Sequence, residues 1–85
     1  MSHDEDIFDR LSKEYGLTKR DNEICIRLLF TEKSGQEIAD ELSISRRVLQ
    51  KHIASIYAKA GVKTRVGLFR KYHEFAMNYL NFKST

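Results

Sequence analysis

Eighty-five residues with a formal net charge of +3, no proline, four glycines and one cysteine bound the chain to one small domain of helices joined by tight turns. The lone Cys25 excludes an internal disulfide, and no apolar run approaches the roughly 18 residues that a membrane-spanning helix needs. The start, Met-Ser-His-Asp-Glu-Asp, is acidic rather than signal-like, so a cytoplasmic location is expected.

Residues 4–15 place Ile7, Phe8, Leu11 and Tyr15 on one helical face, with acids in the first turn where the helix dipole favours them. Gly16 reads as a stop. Thr18, with Asp21 three residues later, gives a capping-box-like start to a second helix over about 19–31. Ile24, Cys25, Ile26, Leu28, Leu29 and Phe30 make that helix apolar on most sides and mark it as the central element. Ser34-Gly35-Gln36-Glu37 is a full capping box and predicts a short helix over 35–42, buried through Ile38, Ala39 and Leu42. Ser43-Ile44 turns the chain, Ser45 caps a longer helix to Ala60, and Gly61 takes the left-handed position after it. Thr64 caps a last helix reaching about Leu80. The few residues between 42 and 45 are the spacing of a helix-turn-helix.

The charge is unevenly placed along these elements. The first 43 residues hold eleven acids against six bases, whereas Ile44 to His73 contains Arg46, Arg47, Lys51, Lys59, Lys63, Arg65, Arg70 and Lys71 and no acid. A one-sign stripe of this kind is the electrostatic footprint of a nucleic-acid-binding face. At about 100° per residue, Leu49, Ile53, Ile56 and Ala60 share the core side of the helix after the turn. Arg46, Arg47, Gln50, Lys51, Ala54 and Ala58 cluster away from it. Arg and Lys can donate to guanine edges or phosphates, Gln can pair with adenine, and Ala allows close approach and contact with a thymine methyl. Arg46 and Arg47 also sit in a first turn, where the dipole disfavours each cation by about 0.3–1 kcal/mol. An arriving phosphate backbone would offset that cost. A solvated basic face is the competing reading.

From Leu17 to about Arg65 the chain resembles the LuxR/GerE/FixJ-type helix-turn-helix family of bacterial transcription regulators. The resemblance rests on L-T-K-R-D-N-E-I at 17–24, S-G-Q-E-I-A-D-E-L-S-I-S at 34–45, His52, I-Y-A-K at 56–59, Gly61-Val62 and Thr64-Arg65. It implies an all-α, four-helix DNA-binding domain over 17–82 whose third helix enters the major groove of double-stranded DNA. Residues 1–16 form an additional leader helix, and the last helix is longer than the family's. The resemblance assigns Gln50, Lys51 and Ala54 to base edges. Arg46 and Arg47, on the same outer face by the helical projection, are assigned to base edges as well, with phosphate contact from Ser45 to Arg47 as the resemblance implies. It assigns Ser34, Gly35, Gln36, Ser45, Lys59, Lys63, Thr64 and Arg65 to phosphates. Val48-Leu49-Gln50 replaces the family's usual Thr-Val-Lys, Ser34-Gly35-Gln36-Glu37 its Ser-Asn-Lys-Glu, and Glu32 its glycine. Those changes remove cations and a hydroxyl from the reading surface and set a carboxylate near it.

In the last helix, Leu68, Tyr72, Phe75, Tyr79 and Phe82 recur at spacings of four and three, the stripe of a helix–helix seam. Phe69, Ala76 and Leu80 form a second strip. One strip is expected to cover the domain's own core and the other to meet a partner. Leu68, Tyr72, Phe75 and Tyr79 are assigned to a homodimer interface, the form that suits a two-half-site operator; coverage of both strips by the leader helix is the alternative. His3, His52 and His73 show no metal-ligand spacing with Cys25 or one another, and no nucleophile–base pair, paired carboxylates or phosphate loop is present. No cofactor, metal or enzymatic activity is expected. A preceding sensory domain is an expectation for a regulator of this type. A protein-interaction module that keeps the fold with weak or no DNA readout is the alternative function.

Overall fold

The computed structural model describes the backbone of residues 3–84 and the side chains of residues 7–81. His3 and Phe82, both considered above, have side chains outside that range. Five helices follow one another: α1 (His3–Tyr15), α2 (Lys19–Phe30), α3 (Gly35–Leu42), α4 (Arg46–Ala60) and α5 (Arg65–Ser84), with no strand among the described residues.

Local chemistry sets the boundaries. Thr18 Oγ1 accepts the Asp21 backbone N–H at 3.1 Å while Asp21 Oδ2 accepts the Thr18 N–H at 3.1 Å. Ser34 and Glu37 repeat this reciprocal pair at 3.2 and 3.0 Å. Ser45 Oγ accepts the Val48 N–H at 3.1 Å, and Thr64 Oγ1 the Gly67 N–H at 2.9 Å. Each cap satisfies backbone donors that a helix start leaves unpaired.

The α3–α4 turn holds a finding that the sequence does not announce. Ser43 is left-handed (φ 56°, ψ 42°), its N–H reaching Asp40 O at 3.2 Å and the Ile44 N–H reaching Ala39 O at 3.0 Å. The same closure follows α4, where Gly61 adopts φ 71°. A left-handed non-glycine residue is strained by its Cβ. Ser43→Gly is therefore expected to stabilise the domain by roughly 0.5–1 kcal/mol, read as a raised denaturation midpoint with an unchanged slope.

The core is continuous across all five helices. Ile24 and Cys25 from α2, Ile38 and Ala39 from α3, and Leu49 and Ile56 from α4 are fully buried. Ile7, Phe8 and Leu11 of α1 join them, as do Leu68 and Tyr72 of α5. The central position expected of α2 holds, with one difference: Ile26 and Phe30 are exposed by nearly half. Phe30 nevertheless bridges α1 and α5, edge-on to Phe8 (centroids 6.4 Å apart) and to Tyr72 (5.3 Å). Arg10 of α1 lies over the Tyr79 ring at 5.6 Å.

This packing corrects the seam assignment. Leu68 and Tyr72 are 2% and 8% exposed within a single chain, and Phe75 and Tyr79 pack against the same core. The apolar face of α1 occupies the stripe that the spacing offered to a partner. The most exposed large apolar residues of α5 are Val66 (63%), Phe69 (53%) and Met77.

Candidate nucleic-acid interface

Residues on α4 divide as the projection requires. Arg46, Arg47, Gln50, Lys51, Ala54 and Ala58 are all exposed, opposite Leu49, Ile56 and Ala60. Val48, which the projection left unplaced, is also exposed and lines a shallow depression with Thr18, Lys51, Ser55 and Lys59. It adds an apolar side chain to a face that otherwise offers cations, an amide and methyl groups. α4 contains no acid.

The start of α3 lies beside this face. Ser34, Gln36 and Ser45 are exposed and Gly35 is half-buried. A Cβ placed on Gly35 would stand 3.5 Å from the Arg46 guanidinium. Arg46 therefore points back over the first residue of α3. Its charge and the positive ends of α3 and α4 converge on one spot, an arrangement suited to an anion. Of the acids of α3, Glu37 lies nearest, its carboxylate accepting the Ser34 N–H at 3.0 Å at the same helix start, while the other two are turned to partners elsewhere. Asp40 accepts from Gln36 Nε2 at 2.8 Å, and Glu41 lies between Arg27 and Lys33. Hydrogen bonds from Lys33 and then Arg27 hold the Glu41 carboxyl below the usual carboxylate range.

Two of the cations assigned to phosphate, Arg65 and Lys59, are engaged within the chain. Arg65 donates from Nε to Leu28 O (2.9 Å), from Nη1 to Lys33 O (2.6 Å), and from Nη2 to Thr31 O (2.8 Å) and Arg27 O (3.2 Å). Four of its five N–H groups thus cap the carbonyl end of α2 and the loop leading to α3. Lys59 places Nζ 3.0 Å from Asp21 Oδ2. Lys63 and Thr64 remain exposed. Glu32, expected near the reading surface, lines a groove with Phe30, Arg65, Val66 and Phe69 instead.

His52 also resolves toward Asp21, its Nδ1 3.1 Å from Oδ1. Sequence reasoning missed this cluster because the capping box already explained Asp21. Burial alone would raise the Asp21 carboxyl, but hydrogen bonds from Lys59, His52 and Thr18 outweigh it and hold the group at about 2. A depressed carboxyl stabilises the fold above its ordinary value near 3.8 and loses that contribution as pH falls toward 2. The contribution is about 2 kcal/mol. The stability difference between the native protein and Asp21→Asn should therefore be constant above about pH 5 and shrink between about pH 4 and 2, measured by urea unfolding across that range. Cys25 offers no competing chemistry: burial, with the Asp21 charge, pushes its thiol up to about 12.

A short helix, a tight turn and a second helix with an acid-free outer face define a helix-turn-helix domain of the DNA-binding class. Residues 16–72 match the luxR family of bacterial regulatory proteins (GerE), and the chain belongs to that family. The chain is also similar to the spore germination protein GerE of Bacillus subtilis (strain 168), 45% identical over 49 residues. The match covers 58% of this chain and 65% of that relative, just under two thirds of its length. No solved structure matches. Among the described residues no helix is long and apolar enough to cross a membrane.

Proposed function

We propose that the chain binds duplex DNA sequence-specifically as the DNA-contacting part of a luxR-type transcription regulator acting in the bacterial cytoplasm. The observation that carries this reading is the exposed, acid-free face of α4 beside the start of α3. Arg47, Gln50, Lys51 and Ala54 meet base edges in the major groove, with Val48 at their margin. Arg46, the amides at Gly35 and Gln36, Ser34, Ser45, Lys63 and Thr64 meet phosphates. Arg65 and Lys59 serve the domain's own structure.

Fluorescence anisotropy on duplexes enriched from a random pool tests the reading. Binding should fall steeply as salt rises, through release of condensed counterions, and Gln50→Ala should change which sequences are preferred. Absence of duplex binding at low salt overturns it.

The working form is a homodimer through the open strip of α5 rather than through its buried stripe. Val66, Phe69 and Met77 supply the apolar surface. Phe69→Asp should shift sedimentation to the monomer and weaken binding to two-half-site duplexes without unfolding the domain. Phe75→Asp would instead unfold it, because Phe75 packs on the core. A protein-interaction module is the second reading, favoured by the groove where Glu32 adjoins Phe30, Val66 and Phe69. A Phe69→Asp protein that loses self-association while neither it nor the parent binds DNA supports that module.

A further inference from the structure

Asp21 is the one buried acid among the described residues, with 2% of its surface exposed. Its cap on α2 uses the Thr18 N–H and hydroxyl, yet both carboxylate oxygens also reach α4. Oδ1 meets His52 Nδ1 at 3.1 Å and Oδ2 meets Lys59 Nζ at 3.0 Å. Residues 52 and 59 are seven apart, nearly two full turns, and so lie on one line along α4. Two directional contacts on one line fix both the roll of a helix about its axis and its slide past its neighbour. The apolar contacts of Leu49, Ile53 and Ile56 do neither as strictly, because burial is non-directional whereas hydrogen bonds weaken steeply off axis.

Roll matters on the opposite side of the helix. With a helix radius of about 5–6 Å including side chains, a roll of about 10° moves the outer tips by about 1 Å. That displacement is enough to spoil a bidentate contact with a base edge while leaving contacts to phosphates in reach.

We propose that Asp21 is a positioning residue for sequence choice: through His52 and Lys59 it sets the roll of α4, and with it the placement of Gln50, Lys51 and Ala54 in the groove. The inference rests on the DNA-reading function proposed above. It also assigns Lys59 a structural task that withholds its charge from the DNA backbone.

The test compares a duplex enriched by the native protein with a shuffled duplex of the same composition, at a temperature where circular dichroism shows each variant folded. Asp21→Asn should lose roughly tenfold or more of the preference between them, the scale of one well-made base contact. Affinity for the shuffled duplex should hold or rise. The slope of log K against log salt should steepen by about 1 for each protomer as Lys59 is released. Asp21→Glu, which restores the carboxylate, should recover the preference. If Asp21→Asn does not fold, Lys59→Gln keeps the Thr18 cap and removes one anchor; its preference should fall without the steeper slope. A merely structural role predicts an unchanged ratio and slope with only a lower melting temperature, and that result overturns the inference alone. A native protein with no preference between enriched and shuffled duplexes overturns the proposed function and the inference with it.

Discussion

Arg65→Ala is expected to lower the stability of the domain by about 2–4 kcal/mol, read as a drop in the urea midpoint. The reason is the number of acceptors that one side chain serves. Arg27 O and Leu28 O belong to the last turn of α2, where carbonyls have no partner further along the helix, and Thr31 O and Lys33 O belong to the loop that follows. Arg65 donates to all four from a single guanidinium. Thr31 Oγ1 assists at Arg27 O, 2.5 Å away, and water can reach part of the site, so the loss stays below the sum of four separate bonds. A positive charge at the carbonyl end of α2 adds a favourable interaction with its dipole. Small domains have only about 5–15 kcal/mol in total, so the effect is large. Arg65→Lys should recover less than half of it, because an ammonium keeps the charge but not the planar fork. Equal stability of the Lys variant and the native protein would show that charge alone matters. The loop held by Arg65 also delivers Ser34 to the start of α3. The alanine variant should accordingly bind duplexes more weakly even where it is folded.

How the sequence reveals some of these features and hides others follows from the range of the interaction. The caps at Thr18, Ser34 and Ser45 were legible because donor and acceptor lie three residues apart, and the helix-turn-helix spacing followed from them. The two faces of α4 were legible because burial repeats with the helical period. Ser43 was not legible as a left-handed residue, since serine does not advertise positive φ as Gly61 does. Asp21 announces only its local cap, and nothing in its sequence neighbourhood points to His52 and Lys59, 31 and 38 residues away. Arg65 suggests a phosphate contact for the same reason: a basic residue in a basic stretch looks solvated until its distant carbonyls are known. On α5 both strips are apolar at helical spacing. Only the docking of α1, a tertiary fact, decides which one is covered.

Arg46→Ala/Arg47→Ala is expected to move stability and DNA binding in opposite directions. Both cations sit at the start of α4, where no acid balances them, and the exposed positive end of a helix disfavours each by about 0.3–1 kcal/mol. Arg46 further lies over Gly35, close to the start of α3, so it meets a second dipole of the same sign. Removing the pair should therefore leave the domain as stable as before or slightly more so. Duplex affinity should fall by roughly a thousandfold for a dimer, which loses four charge-assisted contacts of about 1 kcal/mol each. The slope of log K against log salt should become shallower by about 2, near 0.9 for the phosphate contact that Arg46 loses in each protomer. If Arg46 meets phosphates as proposed, Arg46→Ala alone should weaken enriched and shuffled duplexes alike. Arg47→Ala, on the outer line with Gln50 and Lys51, should also reduce the preference between them. Thermal melting and anisotropy on the same samples decide the matter. A double variant that melts well below the native protein would mean that the arginines hold α3 and α4 together. One that keeps its affinity and its salt slope would remove this face from the DNA contact altogether.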